Sequence, residues 1–281
     1  MSTSSWLTFE SLLTRGGEEK KSVFLRYLTP QEQAKLNAFP PPRTDPLSHP
    51  YSMEERVGGI HYSWLIPFLE PFGESDKSLI LSALEKTPAQ KLQNHFKTSL
   101  TLSPLKPPAK NYLLSAIYCW LNADQKEFLP LEFLPDHPLN AILSLSKKEL
   151  QTLVDYLGLH DLAIELKHVI KAEQIKKIQK VLSQKEQEYL KNLLKTKEPL
   201  SFSRLNLDGW GGDEEELKSI LHHRGFNRLG KALFGCHPSL LWHICHKLDT
   251  GRANILKKFF IDIKNEQAHQ ALIQQTLGLI T

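Results

Sequence analysis

The chain has 281 residues, 41% of them hydrophobic and 23% charged, and a formal net charge of +4. That is the composition of a globular chain with sequence enough for two or three domains. A disordered chain is excluded, and the charge is too mild to indicate nucleic-acid binding. Three cysteines, Cys119, Cys236 and Cys245, are too few for a disulfide framework and predict a reducing compartment. Met1 to Trp6 lacks both a basic start and an apolar core, so no secretory signal is expected. The longest apolar run, Tyr112 to Leu121, is about half of the ~18–20 residues a bilayer span needs. A cytoplasmic protein is expected by elimination.

In chain order, Trp6 to Leu13 gives a short amphipathic turn-and-a-half ended by Gly16-Gly17. Glu18 to Leu28 predicts a helix with Val23, Phe24 and Tyr27 on one face. Thr29-Pro30-Gln31-Glu32 combines a cap, a proline at the first helical position and an acid behind it, which opens a third helix ending at Phe39. Residues 40–50 hold five of the chain's 17 prolines and predict a stiff connector. Ile60 to Ile66 runs into Pro67 and Pro71, which limit it to short pieces. Thr87-Pro88-Ala89-Gln90 repeats the start signal for a helix to Phe96. Ala109 to Leu121 is apolar throughout and is expected to be a central core helix.

Ser146 to Leu194 is the most strongly patterned stretch. Ser146 with Glu149, and Ser183 with Glu186, read as capping boxes. Apolar residues recur at helical spacing through Leu150, Leu153, Val154 and Leu157, then Leu162, Ile164, Leu166 and Val169, then Ile175, Ile178, Val181 and Leu182. Gly158 and the residues around Lys171 are expected to break the pattern, giving four short helices that must stack. Asp208-Gly209-Trp210-Gly211-Gly212 reads as a flexible hinge, with Trp210 an anchor onto a neighbouring domain. Asp213 caps a helix with Glu214, Glu215 and Glu216 in its first turn. His222, His223 and Arg224 form its last turn and Gly225 its stop, all favourable to the helix dipole. Further helices are expected at Gly230–Phe234, Pro238–Leu248, Arg252–Phe259 and about Asn265–Leu277. No stretch alternates like a strand. The fold class is all-α, stacked short helices of armadillo-like or bundle type, divided into residues 1–39, a connector at 40–52, 53–134 and 135–281.

No catalytic motif is present. There is no Gly-x-Ser-x-Gly and no His-Glu-x-x-His, and Gly-Trp-Gly-Gly lacks the following Lys-Ser/Thr of a phosphate loop. Asp161 and Asp249 read as caps or turn residues, so neither an enzyme nor a cofactor is expected. His222, His223, Cys236, His237, His243, Cys245 and His246 fall within 25 residues, but without the short Cys-x-x-Cys spacing a metal site is the less favoured reading. Cys245 lies on the apolar stripe of its helix, with His243 and His246 on the other flank. A metal-dependent helical enzyme using this cluster is the alternative that it leaves open. The exposed feature with substance is a basic face. From Lys167 to Lys197 there are nine lysines against three glutamates, and Lys176, Lys177 and Lys180 lie opposite Ile175, Ile178 and Val181. A solvated lysine face is the plain reading; no aromatic residue lies among Lys176, Lys177 and Lys180, so as a partner an acidic protein is favoured over RNA or an anionic membrane surface.

The run Leu150-Gln151-Thr152-Leu153, Asp161-Leu162-Ala163-Ile164, Leu166-Lys167, Ile178, Ser183, Leu190 and Lys191 resembles the C-terminal region of the flagellar motor switch protein FliG family. His137-Pro138 and His237-Pro238-Ser239-Leu240, followed by Leu248-Asp249, resemble the helix-opening and helix-ending elements of that family's middle, armadillo-like domain. The resemblance covers about residues 136–260. In that family the helix matching Ser146–Leu157 carries two acids then an arginine near its start and Arg-Glu near its end, which engage the stator. Here Ser146, Lys147, Lys148, Asp155 and Tyr156 stand there, so the torque-generating charges are missing. The resemblance therefore implies a non-enzymatic adaptor of a type III secretion (flagellar-type export) apparatus, peripheral to the inner membrane and part of a multi-subunit ring. It would link a membrane ring to cytoplasmic protein partners. A diverged flagellar switch subunit is the alternative. Lys147, Lys148, Gln151, Asp155, Lys176, Lys177 and Lys180 are the expected partner-binding residues.

Overall fold

The structure, a computed structural model, describes residues 3–38, 48, 50–125, 127–168, 172–196, 204–205 and 207–280. The described residues contain helices and no strand; the fold is all-α. The chain divides into two compact units, residues 1–137 with 237–251, and residues 138–236 with 252–281. Sequence reasoning kept 135–281 together; here 237–251 belongs to the first unit. Most of the 40–52 connector, Val169 to Lys171 and Lys197 lie outside the described residues.

The first unit begins with α1 (Thr3–Arg15), α2 (Glu18–Leu25) and α3 (Pro30–Ala38). α1 is longer than the expected turn-and-a-half, because Trp6 and Leu13 are spaced to reach Leu36 of α3 on one face. Thr29 and Glu32 form the predicted reciprocal cap: the Thr29 N–H donates to the Glu32 carboxylate at 2.9 Å and the Glu32 N–H to the Thr29 hydroxyl at 3.3 Å. α2 buries no residue, and its Val23 and Phe24, with Tyr27 beyond its end, are exposed.

The rest of this unit packs α4 (Met53–Gly58), α5 (Ile66–Leu69), α6 (Glu74–Ala83), α7 (Lys86–Phe96) and α8 (Pro107–Leu121) around Leu65, Leu69, Leu81, Leu92, Leu114 and Ile117. α7 starts one residue before Thr87, with Glu85 in the cap position and no side-chain cap bond. Pro88 still falls in the first turn, where its missing N–H costs nothing. α8 is the expected core helix, on one side only. Leu114, Ile117 and Tyr118 are buried, while Tyr112 and Trp120 stand 74% and 43% exposed.

α13 (Pro238–Lys247) completes this core. The Ser239 hydroxyl accepts from the Leu129 N–H at 2.8 Å, the His61 N–H donates to His246 O at 2.7 Å, and the Trp64 indole N–H donates to Leu248 O at 2.9 Å. The His246 ring is stacked between Trp242 and Trp64, with centroids 3.7 and 4.2 Å away. Such flat aromatic contacts combine large apolar burial with defined geometry.

The second unit is built on α9 (Lys147–Leu166) and α12 (Glu214–Ala232), with α10 (Ala172–Val181) and α11 (Gln184–Lys195) between them in sequence. The body of α14 (Thr250–Lys258) and all of α15 (Glu266–Leu277) complete it. Both capping boxes form as expected. Gly158 and Gly225 do not end helices. Each lies inside an unbroken one, at the point where α9 and α12 cross. A Cβ on Gly158 would stand 2.1 Å from Leu221 O, and one on Gly225 1.8 Å from Val154 O. Only a residue without a side chain lets the two backbones approach this far. The four short helices are therefore three among the described residues, the first of them 20 residues long. The expected Gly230–Phe234 helix is no separate element: Gly230 to Ala232 end α12, and Leu233 is its C-cap. Lys231 is therefore the base that faces the C-terminal dipole.

Candidate functional site

The basic face stands on a helical hairpin. α10 and α11 turn their apolar sides inward, where Ile178, Leu182 and Leu190 join Leu159, Leu162, Ala163, Leu207, Trp210, Leu217 and Leu221 in one buried cluster. The turn between them is fixed by the Ser183–Glu186 capping box and by Gln187, whose amide donates to Gln179 O at 2.6 Å and Leu182 O at 2.9 Å. With the apolar residues inward, the alternate face carries Lys176, Lys177 and Lys180 to solvent, as the spacing predicts, with Glu173 as the one acid beside them.

Lys177 is not wholly free for a partner. Its ammonium donates to Gly211 O at 3.2 Å, and its methylenes lie against Gly212, whose φ of 106° is open to glycine at little cost. The expected hinge is pinned rather than loose. Trp210 is 7% exposed and its indole N–H donates to Asp213 O at 2.9 Å, so it anchors the loop inside its own unit. Asp213 then caps α12, accepting from the Glu216 N–H at 2.7 Å. Glu214 is paired with Lys218, and Glu215 and Glu216 are exposed. Lys177 thus ties α10 to the Gly211–Gly212 loop that leads into α12.

The α9 residues expected at the interface divide. Lys148 is exposed, and Lys147 and Gln151 are half-buried. Asp155 is engaged by α12: its carboxylate takes the His222 Nδ1–H at 2.6 Å, and His222 Nε2 accepts from Arg252 Nε at 3.1 Å. That chain ties α9, α12 and α14 together. Asp155 serves the fold before it can serve a partner.

Below it lies a group that sequence reasoning missed. Arg228 is completely buried, its Nε donating to Asp161 Oδ1 at 3.0 Å and Nη1 to Gln275 Oε1 of α15 at 2.8 Å. Asp161 is therefore the partner of a buried cation, not a cap or turn residue. The signal was present, since Asp161 continues the Leu150, Val154, Leu157 stripe of α9 and Arg228 the Leu217, Leu221 stripe of α12. Opposite charges on two apolar stripes mark a buried pair.

The His/Cys run does not converge. Among the described residues no group of three or more His, Cys, Asp or Glu is arranged to hold a metal ion. His222 and His223 belong to the second unit, while His237, His243, Cys245 and His246 belong to the first. His243 is no flank ligand. It is buried with its Nε2–H donating to Leu129 O at 3.0 Å, and burial pushes its pKa down to about 4. His246 donates through Nδ1–H to Trp242 O at 2.7 Å, and Cys245 is fully buried as its stripe predicts. His237 caps α13, accepting from the Ser239 N–H at 3.2 Å. Burial raises the Cys236 thiol to about 12, which keeps it from forming a thiolate.

No helix among the described residues is long and apolar enough to cross a membrane. Compared with protein-family models, curated proteins and solved structures, the chain matches none.

Proposed function

We propose that this protein is a non-enzymatic structural adaptor of a flagellar-type (type III) export apparatus, cytoplasmic and seated at the inner face of the membrane. It resembles FliG in scaffold but makes no torque. The observation that carries the reading is where the resembling residues fall. Of them, Leu150, Leu153, Asp161, Leu162, Ala163, Ile178 and Leu190 are buried, Ser183 caps α11, and Gln151, Thr152, Lys167 and Lys191 lie at or near the surface. The positions that depart from the family pattern, Lys147, Lys148, Asp155 and Tyr156, are exposed or half-exposed. Apolar positions that match the family pattern in the interior, beside altered charge at the surface, are what this reading expects of a scaffold put to another use. The exposed Lys176 and Lys180 supply an electrostatic contact for a protein partner. A pull-down from the source cells with the tagged protein tests this. Recovery of cytoplasmic export-apparatus components is the expected result, and recovery of none of them overturns the reading.

A further inference from the structure

We propose that the outward face of α2 docks this protein on an anionic lipid surface. The inference rests on the reading that the adaptor sits at the inner face of the membrane, and it names the element that meets the lipid. An ordinary surface helix turns its apolar stripe to the core and its polar side to water. α2 is built the other way round, and none of its residues is buried. Leu25 and Leu28 pack from its inner side against the cluster of Trp6, Leu13 and Leu36. Val23, Phe24 and Tyr27, by contrast, stand 46%, 52% and 82% exposed. Single exposed apolar residues are common on protein surfaces, but these three share one face. Lys20 precedes Val23 and Phe24 by three and four positions in one continuous helix, so the three side chains are surface neighbours. Tyr27 continues the row past the helix end, its N–H donating to Phe24 O at 3.0 Å. The turn is held there by Gln33 of α3, whose amide donates to Leu25 O at 2.8 Å and Leu28 O at 3.1 Å. With Leu25 and Leu28 fixed inward, the row Lys20, Val23, Phe24 and Tyr27 is set outward.

The chemistry of the row selects its occupant. Lys20 and Arg26 are exposed beside it and Lys21 is half-exposed. The acids Glu18 and Glu19 are confined to the first turn, at the opposite end from Tyr27. Cations flanking a narrow band of aromatic and aliphatic side chains are the pattern of a helix that lies in a membrane interface. There the apolar side chains enter to a depth of ~5–10 Å, the cations meet anionic headgroups, and a tyrosine keeps its hydroxyl at headgroup level. A protein partner must bring a recess shaped for Phe24 and Tyr27, whereas a lipid surface needs none. One short helix gives only weak, reversible attachment, so it reinforces the adaptor's protein contacts and does not replace them.

Flotation of the full chain with phosphatidylcholine vesicles, without and with about 30% phosphatidylglycerol, tests this. The native protein is expected to bind the anionic vesicles about tenfold more tightly than the neutral ones, the difference a small excess of cations makes at such a surface. V23S/F24S/Y27S and K20E/R26E alter only exposed side chains, and circular dichroism establishes that each is folded. Both are expected to lose the anionic vesicles about tenfold, while K176E/K177E/K180E keeps them. The proposal is overturned if the native protein stays in solution with both kinds of vesicle, or if either α2 variant floats as the native protein does. Should the native protein ignore the vesicles while V23S/F24S/Y27S loses export components in the pull-down, the face docks a protein. The lipid surface is then excluded and the adaptor reading stands. Should α2 carry the protein to the vesicles while the pull-down recovers no export component, the adaptor reading falls and the lipid contact stands.

Discussion

The crossing of α9 and α12 and the α10–α11 hairpin are neighbours in sequence and opposites in construction. α9 buries eleven residues of its 20, including two glycine-flanking leucines, a histidine and two acids. α10 and α11 bury one residue each, Ile178 and Leu190. Where two backbones meet at Gly158 and Gly225, side-chain identity is dictated by space. On the hairpin a narrow apolar stripe suffices and the remaining surface is free to carry charge. Burial is concentrated in the first region, the surface proposed for recognition lies on the second, and substitutions of matched size separate the two.

The largest effect is expected at the buried pair. Arg228→Met removes the cation hydrogen-bonded to the buried Asp161 carboxylate and leaves it Arg224, 4.0 Å away, which costs about 3 kcal/mol. Adding Asp161→Leu removes the stranded charge and is expected to restore most of that loss, because an apolar pair of similar volume is often as stable as a buried ion pair. Denaturant titrations of the single and double variants check both.

Next is the crossing itself. Gly225→Ala and Gly158→Ala each place a methyl inside a neighbouring backbone carbonyl, so the helices must part, at about 3 kcal/mol. On the hairpin side Gly212→Ala meets only the flexible Lys177 chain and the strain of φ 106°, about 1–2 kcal/mol. Equal losses at the three sites would erase the contrast between the two regions.

The first unit carries a pH dependence of similar size. Burial holds His243 at about 4 against its ordinary 6.5, and burial lowers His237 as well. Between those values the unfolded chain binds the proton and the folded one does not. Stability is thus full above pH ~6.5 and falls as the pH drops to ~4, by up to about 3 kcal/mol from His243. Unfolding midpoints across that range are expected to track this fall in the native protein and to flatten in His243→Gln.

Smallest is the hairpin surface. K176E/K177E/K180E is expected to change stability by no more than about 0.5 kcal/mol, since exposed charges contribute little. Loss of the Lys177 bond to Gly211 is included in that figure.

The all-α class, both capping boxes, the Thr29–Glu32 cap, the core stripe of α9 and the solvent position of the α10 lysines were legible in the sequence, because each is local chemistry or local period. The features that were not legible are tertiary. Gly158 and Gly225 looked like stops, since a glycine read alone is a breaker; only the approach of another backbone reveals it as a contact. Asp161 looked like a turn residue because Arg228 lies far along the chain. Where the His/Cys run would lie was not legible either: the sequence left a metal site open as the less favoured reading, and only the structure shows α13 drawn into the first unit by Leu129, His61 and Trp64.

The central claim is that the lysine face carries recognition without carrying the fold. The pull-down of export-apparatus components, repeated with K176E/K177E/K180E beside the native protein at low and high salt, tests it most directly. The prediction is loss of the recovered components in the reversal, loss in the native protein at high salt, and an unchanged circular dichroism melt. Equal recovery by the native and reversed proteins, with both folded, would contradict it.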